Sequence, residues 1–184
     1  MINSFILNNV LPVSEEVLNN NIYLMLLHAR QAPPHIYLSI SGKIFSLGVK
    51  GAIIDGHMSQ MIRFIKSRRI ESLFIQLNMP PLFTPADLSD RIREITLAYP
   101  KVDAGIATCL TPVRDFCDEV YGTGIQNIHL IFDLLPELQR RGAVGGVYHY
   151  FLDDDIRNGS FSMKRYVVAD IYESIHKANG LITV

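Results

Sequence analysis

The sequence predicts an α/β protein with a mostly parallel or mixed sheet and crossover helices, and three observations carry that expectation. Short runs of β-branched and aromatic residues, such as Leu73, Phe74, Ile75 and Leu77, are bounded by turn-forming residues and proline. Longer segments between them place apolar residues at helical spacing, as with Leu88, Ile92, Ile95 and Tyr99. Two of these segments open on Thr84-Pro85 and Thr111-Pro112, a residue pair suited to an N-cap and the first helical position.

Composition narrows the function classes. With 184 residues, 48% of them hydrophobic and 19% charged, the chain has the apolar content for a full core and too little charge for disorder. A net charge of −1 lacks the footprint of a nucleic-acid binder, leaving Lys66, Arg68 and Arg69 as a local patch only. No run reaches the roughly 18 apolar residues of a membrane span, and Met1 to Val10 lacks the basic start of a signal. Cys109 and Cys117 have neither CxxC nor metal-ligand spacing, so they read as plain thiols in a reducing, cytoplasmic compartment.

Along the chain, Phe5 to Leu7 is a short apolar run, an edge strand or an arm. Ser14 with Glu15 and Glu16 opens a helix in which Leu18, Ile22, Met25, Leu26 and Ala29 recur at helical spacing until Pro33 and Pro34. Residues 1–34 are therefore expected as a helical extension whose apolar face is covered by the rest of the chain or by a second copy in a homodimer. From His35 the period changes to two, with Ile36, Leu38 and Ile40 in one strand, a tight turn at Gly42-Lys43, and Ile44 to Leu47 in a second. After Gly48 and Gly51, Met58, Met61, Ile62 and Ile65 mark one face of a helix, with Arg63, Lys66, Arg68 and Arg69 outward.

The strand at Leu73 to Leu77 is stopped by Pro80 and Pro81. A helix follows from Thr84 or Pro85, with Asp87 placed to favour its dipole. Val102 to Cys109 reads as a strand. Thr111 opens a helix with Val113, Phe116, Cys117 and Val120 inward, ended by Gly122 and Gly124; Ile125 to Phe132 alternates as a strand, and Asp133 caps a short helix through Gln139.

Residues 142–184 are expected as a strand-helix-strand extension packing on the core. Val144 to Leu152 is its first strand, with Gly145 and Gly146 permitting a close approach or bulge. Asp153-Asp154-Asp155 and Asn158-Gly159 are turn chemistry; the helix runs from about Ser162 with Val167, Ile171, Ile175 and Ala178 inward, and Leu181 to Val184 form a terminal strand. Adjacent carboxylates on a strand alternate faces, so the acidic triplet reads as a solvated turn, and neither metal nor cofactor is expected. His149 reads as a packed histidine. His28, His35, His57, His129 and His176 share no ligand spacing, and no GxSxG, P-loop, GxGxxG, HExxH or nucleophile–histidine signature is present, so no catalytic residue is assigned.

The order of elements from His35 to Arg141, two strands and then alternating helices and strands, resembles a STAS domain, the sulfate-transporter and anti-sigma-factor-antagonist family. The clearest local match is TPVRDFCDEVYGTGIQNIHLIFDLLPEL, Thr111 to Leu138. The resemblance implies a STAS-like core over 35–141. It also implies a non-catalytic regulatory module, binding a kinase-like or sigma-regulatory protein partner through Asn78, Pro81, Thr84, Ala86 and Asp87. In that family the equivalent loop carries Asp-Ser-Ser-Gly with a phosphorylated serine. Thr84, Pro85, Ala86 and Asp87 stand in those positions here, so Thr84 alone retains a hydroxyl as a candidate phosphoacceptor, its other reading being an N-cap. The alternative function is a small α/β enzyme or nucleotide-binding domain with its site at the carboxyl ends of the strands, around Asn78, Thr108 and Asp133, assisted by Asp153 to Asp155.

Overall fold

The structure, a computed structural model, describes residues 4–180. Those residues form nine strands and six helices. The principal sheet has seven strands in the order β2-β8-β7-β3-β4-β5-β6. In sequence these are β2 (Val10–Pro12), β3 (Ile22–Leu27), β4 (His35–Ile40), β5 (Lys43–Gly48), β6 (Gly51–His57), β7 (Ser72–Leu77) and β8 (Val144–Tyr150). A separate ribbon pairs β1 (Ser4–Leu7) antiparallel with β9 (Phe161–Lys164). The sheet is mixed, as expected of the class, but parallel pairing is confined to β2 and β8. All its other neighbours run antiparallel.

The first 34 residues differ from expectation. Only Glu15–Leu18 is helical (α1), and Ile22–Leu27 is instead β3, hydrogen-bonded to β4 on one side and β7 on the other. Every residue of β3 is buried. A strand covered on both faces has no polar alternation to reveal it, and its continuous apolar run imitates helical spacing. What reads as an extension is therefore a central strand of the sheet.

Alternate residues of β3 divide the interior. Ile22, Leu24 and Leu26 join one apolar cluster with Leu88 and Ile92 of α3 (Pro85–Leu97), Val113 and Phe116 of α4 (Thr111–Tyr121) and Leu134 of α5 (Ile131–Arg140). Tyr23, Met25 and Leu27 join a second with Met58, Ile62 and Ile65 of α2 (Met58–Arg68). The sheet is the middle layer of three, an arrangement that buries both of its faces.

Other expectations on the described residues are met or corrected locally. The β4–β5 turn is Ser41-Gly42, one residue before the expected Gly42-Lys43, with both residues at the positive φ a two-residue hairpin requires. Thr84 caps α3 and Pro85 is its first residue, as expected. Residues 102–109 are not a strand: they form a loop with one bridge between Asp103 and Ala107. Residues 125–130 are not a strand either; the Asp133 carboxylate accepts from the amides of His129 and Leu130, and such capping bonds give the backbone another partner than a ladder. The segment from Ser162 contributes to β9 before the last helix, α6 (Val168–Gly180), begins. The terminal strand expected at Leu181 to Val184 lies outside the described residues. No helix among the described residues is long and apolar enough to cross a membrane.

Candidate functional site

The loop expected to bind a partner sits at one end of the sheet. Across β3, β4 and β7, residues Ile22, Ile40 and Leu77 lie level, while Leu27, His35 and Ser72 lie level at the opposite end. Asn78 through Asp87 follow Leu77 and so occupy the first end. Pro81, Thr84, Ala86 and Asp87 are all exposed there. Thr84 and Asp87 form a reciprocal capping box: Thr84 Oγ1 accepts from the Asp87 amide at 3.2 Å, and Asp87 Oδ2 accepts from the Thr84 amide at 2.9 Å and from its hydroxyl at 2.6 Å. The two bonds to Thr84 hold the Asp87 carboxyl below its usual range. Asn78 donates to the Gly142 carbonyl at 2.8 Å, its carbonyl accepts from the Tyr121 hydroxyl, and a Cβ on Gly145 would stand 2.9 Å from its Oδ1. Asn78 thus ties the loop to the start of β8, which explains the glycine opposite it.

The expected carboxylates do not gather. Asp133 caps α5, and Asp155 accepts from Arg30, which also pairs with Glu71 at 3.0 Å. Among the described residues no group of three or more His, Cys, Asp or Glu side chains is placed to hold a metal ion.

At the other end of the sheet lie two residues that carried no sequence motif. His35 opens β4, and Cys109 lies two residues before α4; both line one cleft of about 410 Å³, with Tyr37, Val49, Ile53 and Ile175 among its apolar walls and Lys50 its charged side chain. The cleft exists because β4 and β5 pair only between Leu38 and Ile40, so the strands part beside Ile36 and His35. Ser46 of β5, 1% exposed, fills the gap with its hydroxyl. Ser46 Oγ donates to the Ile36 carbonyl at 2.8 Å and lies 3.1 Å from His35 Nε2. A hydroxyl has one proton, and here the Ile36 carbonyl takes it. Oγ therefore accepts from His35, the Nε2–H tautomer is fixed, and Nδ1 keeps its lone pair.

Local sequence holds the cysteine. Thr111 Oγ1 accepts from the Thr108 amide at 2.8 Å and Thr108 Oγ1 accepts from the Leu110 amide at 3.2 Å, so two threonines bracket Cys109 in a hydrogen-bonded turn. Burial pushes the Cys109 thiol up, while the nearby backbone amides of Ile36, Cys109 and Leu110 favour its ionised form. Cys117, in the α4 core, is raised by burial alone and meets no such groups. His35 is lowered to about 4, first by burial and then by the charge of His28. At neutral pH the cleft therefore holds a neutral thiol and a neutral imidazole with a free nitrogen.

The readable signals for this pair were a cysteine just before a Thr-Pro helix start and a histidine opening a strand after two prolines. Neither identifies a site until the fold sets both on the wall of one cleft. Compared with known proteins, the chain matches no family model, no curated protein and no solved structure.

Proposed function

We propose that the chain is a cysteine-dependent enzyme acting on acyl bonds, with Cys109 as nucleophile, His35 as general base and Ser46 as the positioning residue for His35. The observation that carries this reading is the shared cleft of a helix-start thiol and an imidazole whose tautomer is set by a buried hydroxyl. Nucleophilic catalysis uses such a set of thiol, base and orienting group once sulfur and imidazole come within hydrogen-bond reach. In the reaction the thiol proton passes to His35 Nδ1 and sulfur attacks the acyl carbon. The imidazolium then protonates the leaving group, and water releases the acyl group from sulfur with His35 again as base. Two free cysteines suit a reducing, cytoplasmic setting for such chemistry.

An activated ester tests it. p-Nitrophenyl acetate should acetylate Cys109 in intact-mass analysis; Cys109→Ala should remove the adduct, and His35→Gln should slow it by roughly a hundredfold, the scale of general-base assistance. Acetylation at an unchanged rate in His35→Gln would overturn the assignment.

A second reading, the STAS-like partner-binding module, is favoured by one observation at the opposite end of the sheet. Leu82 is 91% exposed, beside half-exposed Met79 and Phe83, in the same loop as Pro81, Thr84 and Asp87. Exposed apolar groups of this kind mark interaction surfaces. Leu82→Asp should abolish partner capture, or dissociate a homodimer in light scattering, without lowering the thermal midpoint; capture and assembly at the wild-type level would reject the surface.

A further inference from the structure

Three pieces of chain wall the cleft that holds His35 and Cys109, and together they restrict what it can take. On one side α6 presents Ile171, Ser174, Ile175 and Ala178, whose spacing of three and four residues puts them on one helix face. The Ser174 hydroxyl donates to the Asp170 carbonyl at 2.9 Å, so its proton is already used and this wall is apolar in effect. Pro33, Pro34 and Tyr37, at and before the start of β4, form a second wall. The third piece is the β5–β6 turn, Val49 and Lys50, between the paired Gly48 and Gly51. The Gly48 carbonyl accepts from the Val102 amide at 2.9 Å, which ties this turn to the loop that ends in Cys109.

Lys50 is exposed, it is the charged side chain of the cleft, and its ammonium forms no ion pair among the described residues. A cleft of about 410 Å³ is the size of a small-molecule site, where apolar walls take up the body of a ligand and a few polar groups orient it. With one unpaired cation available, the complementary ligand carries one anionic group, which gains a charge-assisted donor while its apolar body leaves water.

We infer that this cleft binds an amphiphilic monoanion, with its apolar body between α6 and β4 and its anionic group on Lys50. The substrate is then an acyl compound of that kind. This naming of a substrate class rests on the Cys109–His35 reading and deepens it, whereas binding itself is measured without the thiol.

Octanoate and octylamine, equal in chain length and opposite in charge, test it by calorimetric titration at pH 7. Octanoate should bind the wild type roughly tenfold more tightly than octylamine, the scale of one charge-assisted contact. Lys50→Gln should bring the two to about equal affinity, and Lys50→Glu should reverse their order, which a merely structural role for this turn residue would not do. Ile53 of β6, another wall residue, is 41% exposed, so Ile53→Asp should fold; its carboxylate should weaken octanoate roughly tenfold. No measurable octanoate binding, octylamine bound as tightly by the wild type, or an octanoate affinity unchanged by Lys50→Glu or by Ile53→Asp overturns the inference. Octanoate bound with the expected pattern by a protein whose Cys109 is not acetylated by p-nitrophenyl acetate keeps the binding site and removes the enzyme reading alone.

Discussion

The Ser46 hydroxyl lies 3.1 Å from His35 Nε2 while donating to the Ile36 carbonyl at 2.8 Å, so one buried oxygen joins β5 to both the side chain and the backbone at the start of β4. Ser46→Ala removes the acceptor that fixes the imidazole and leaves the Ile36 carbonyl without this donor. Acetylation of Cys109 by p-nitrophenyl acetate is expected to slow by roughly tenfold or more, as a free tautomer and ring orientation spoil base geometry. Stability measured by urea unfolding should drop by about 1–3 kcal/mol, the range for an unsatisfied buried acceptor.

The depressed basicity of His35 makes folding depend on pH in a stated direction. Its value is about 4 in the folded chain against 6.5 for the free group, so between these values the unfolded chain binds the additional proton. The contribution is fully present above 6.5 and is lost as pH falls toward 4. Wild type is expected to lose up to about 3 kcal/mol relative to His35→Gln across that window, the free-energy equivalent of the shift. Parallel urea titrations of both proteins at pH 7 and pH 4.5 measure the difference; equal losses in the two would mean that His35 protonates freely in the folded protein.

Thr84 and Asp87 cap α3 at the end of the sheet away from Cys109. Thr84→Ala is expected to lower stability by about 1 kcal/mol, the usual worth of an N-cap. The acetylation rate of Cys109 should stay within about twofold of wild type, since distant, independent sites act additively. A phosphate on Thr84 would take the oxygen from the capping box and set its charge against the Asp87 carboxylate. Phosphorylation there should therefore destabilise α3, which hydrogen exchange at the amides of Asp87 and Leu88 reads directly.

Leu24 lies in the middle of β3, fully buried between β4 and β7. Leu24→Ala should cost about 2–5 kcal/mol, the range for a cavity in a packed core. A peripheral helical extension would lose far less, so a drop below about 1 kcal/mol in chemical unfolding would contradict the central position of this strand.

How much was legible beforehand follows from which residues carry local signals. The helix starts at Thr84-Pro85 and near Thr111-Pro112 and the strands opening near His35, Lys43, Ser72 and Val144 were readable from capping and short apolar runs, and the hairpin was read one residue late, at Gly42-Lys43 instead of Ser41-Gly42. Besides the start of the last helix, which lies at Val168 and not near Ser162, three segments misled. Ile22 to Leu27 imitates a helix because all six residues are buried, and the apolar runs at 102–109 and 125–130 have strand-like composition but no neighbouring strand to complete a ladder. Of the candidate site, Thr84 and Asp87 were legible as a cap because their bonds span three residues.

The sequence by itself determined the α/β class, the starts of α3 and α4 and the capped loop after β7, because each depends on residues within a few positions of one another. Tertiary structure alone decided that residues 22–27 form the middle of the sheet, that Ser46 holds His35, and that His35 and Cys109 line one cleft at its end. The physical reason is that a cleft belongs to no segment. It arises where β4 and β5 part, where a serine hydroxyl fills the gap, and where two threonines hold a cysteine against the opening; only the packed chain sets those three conditions side by side.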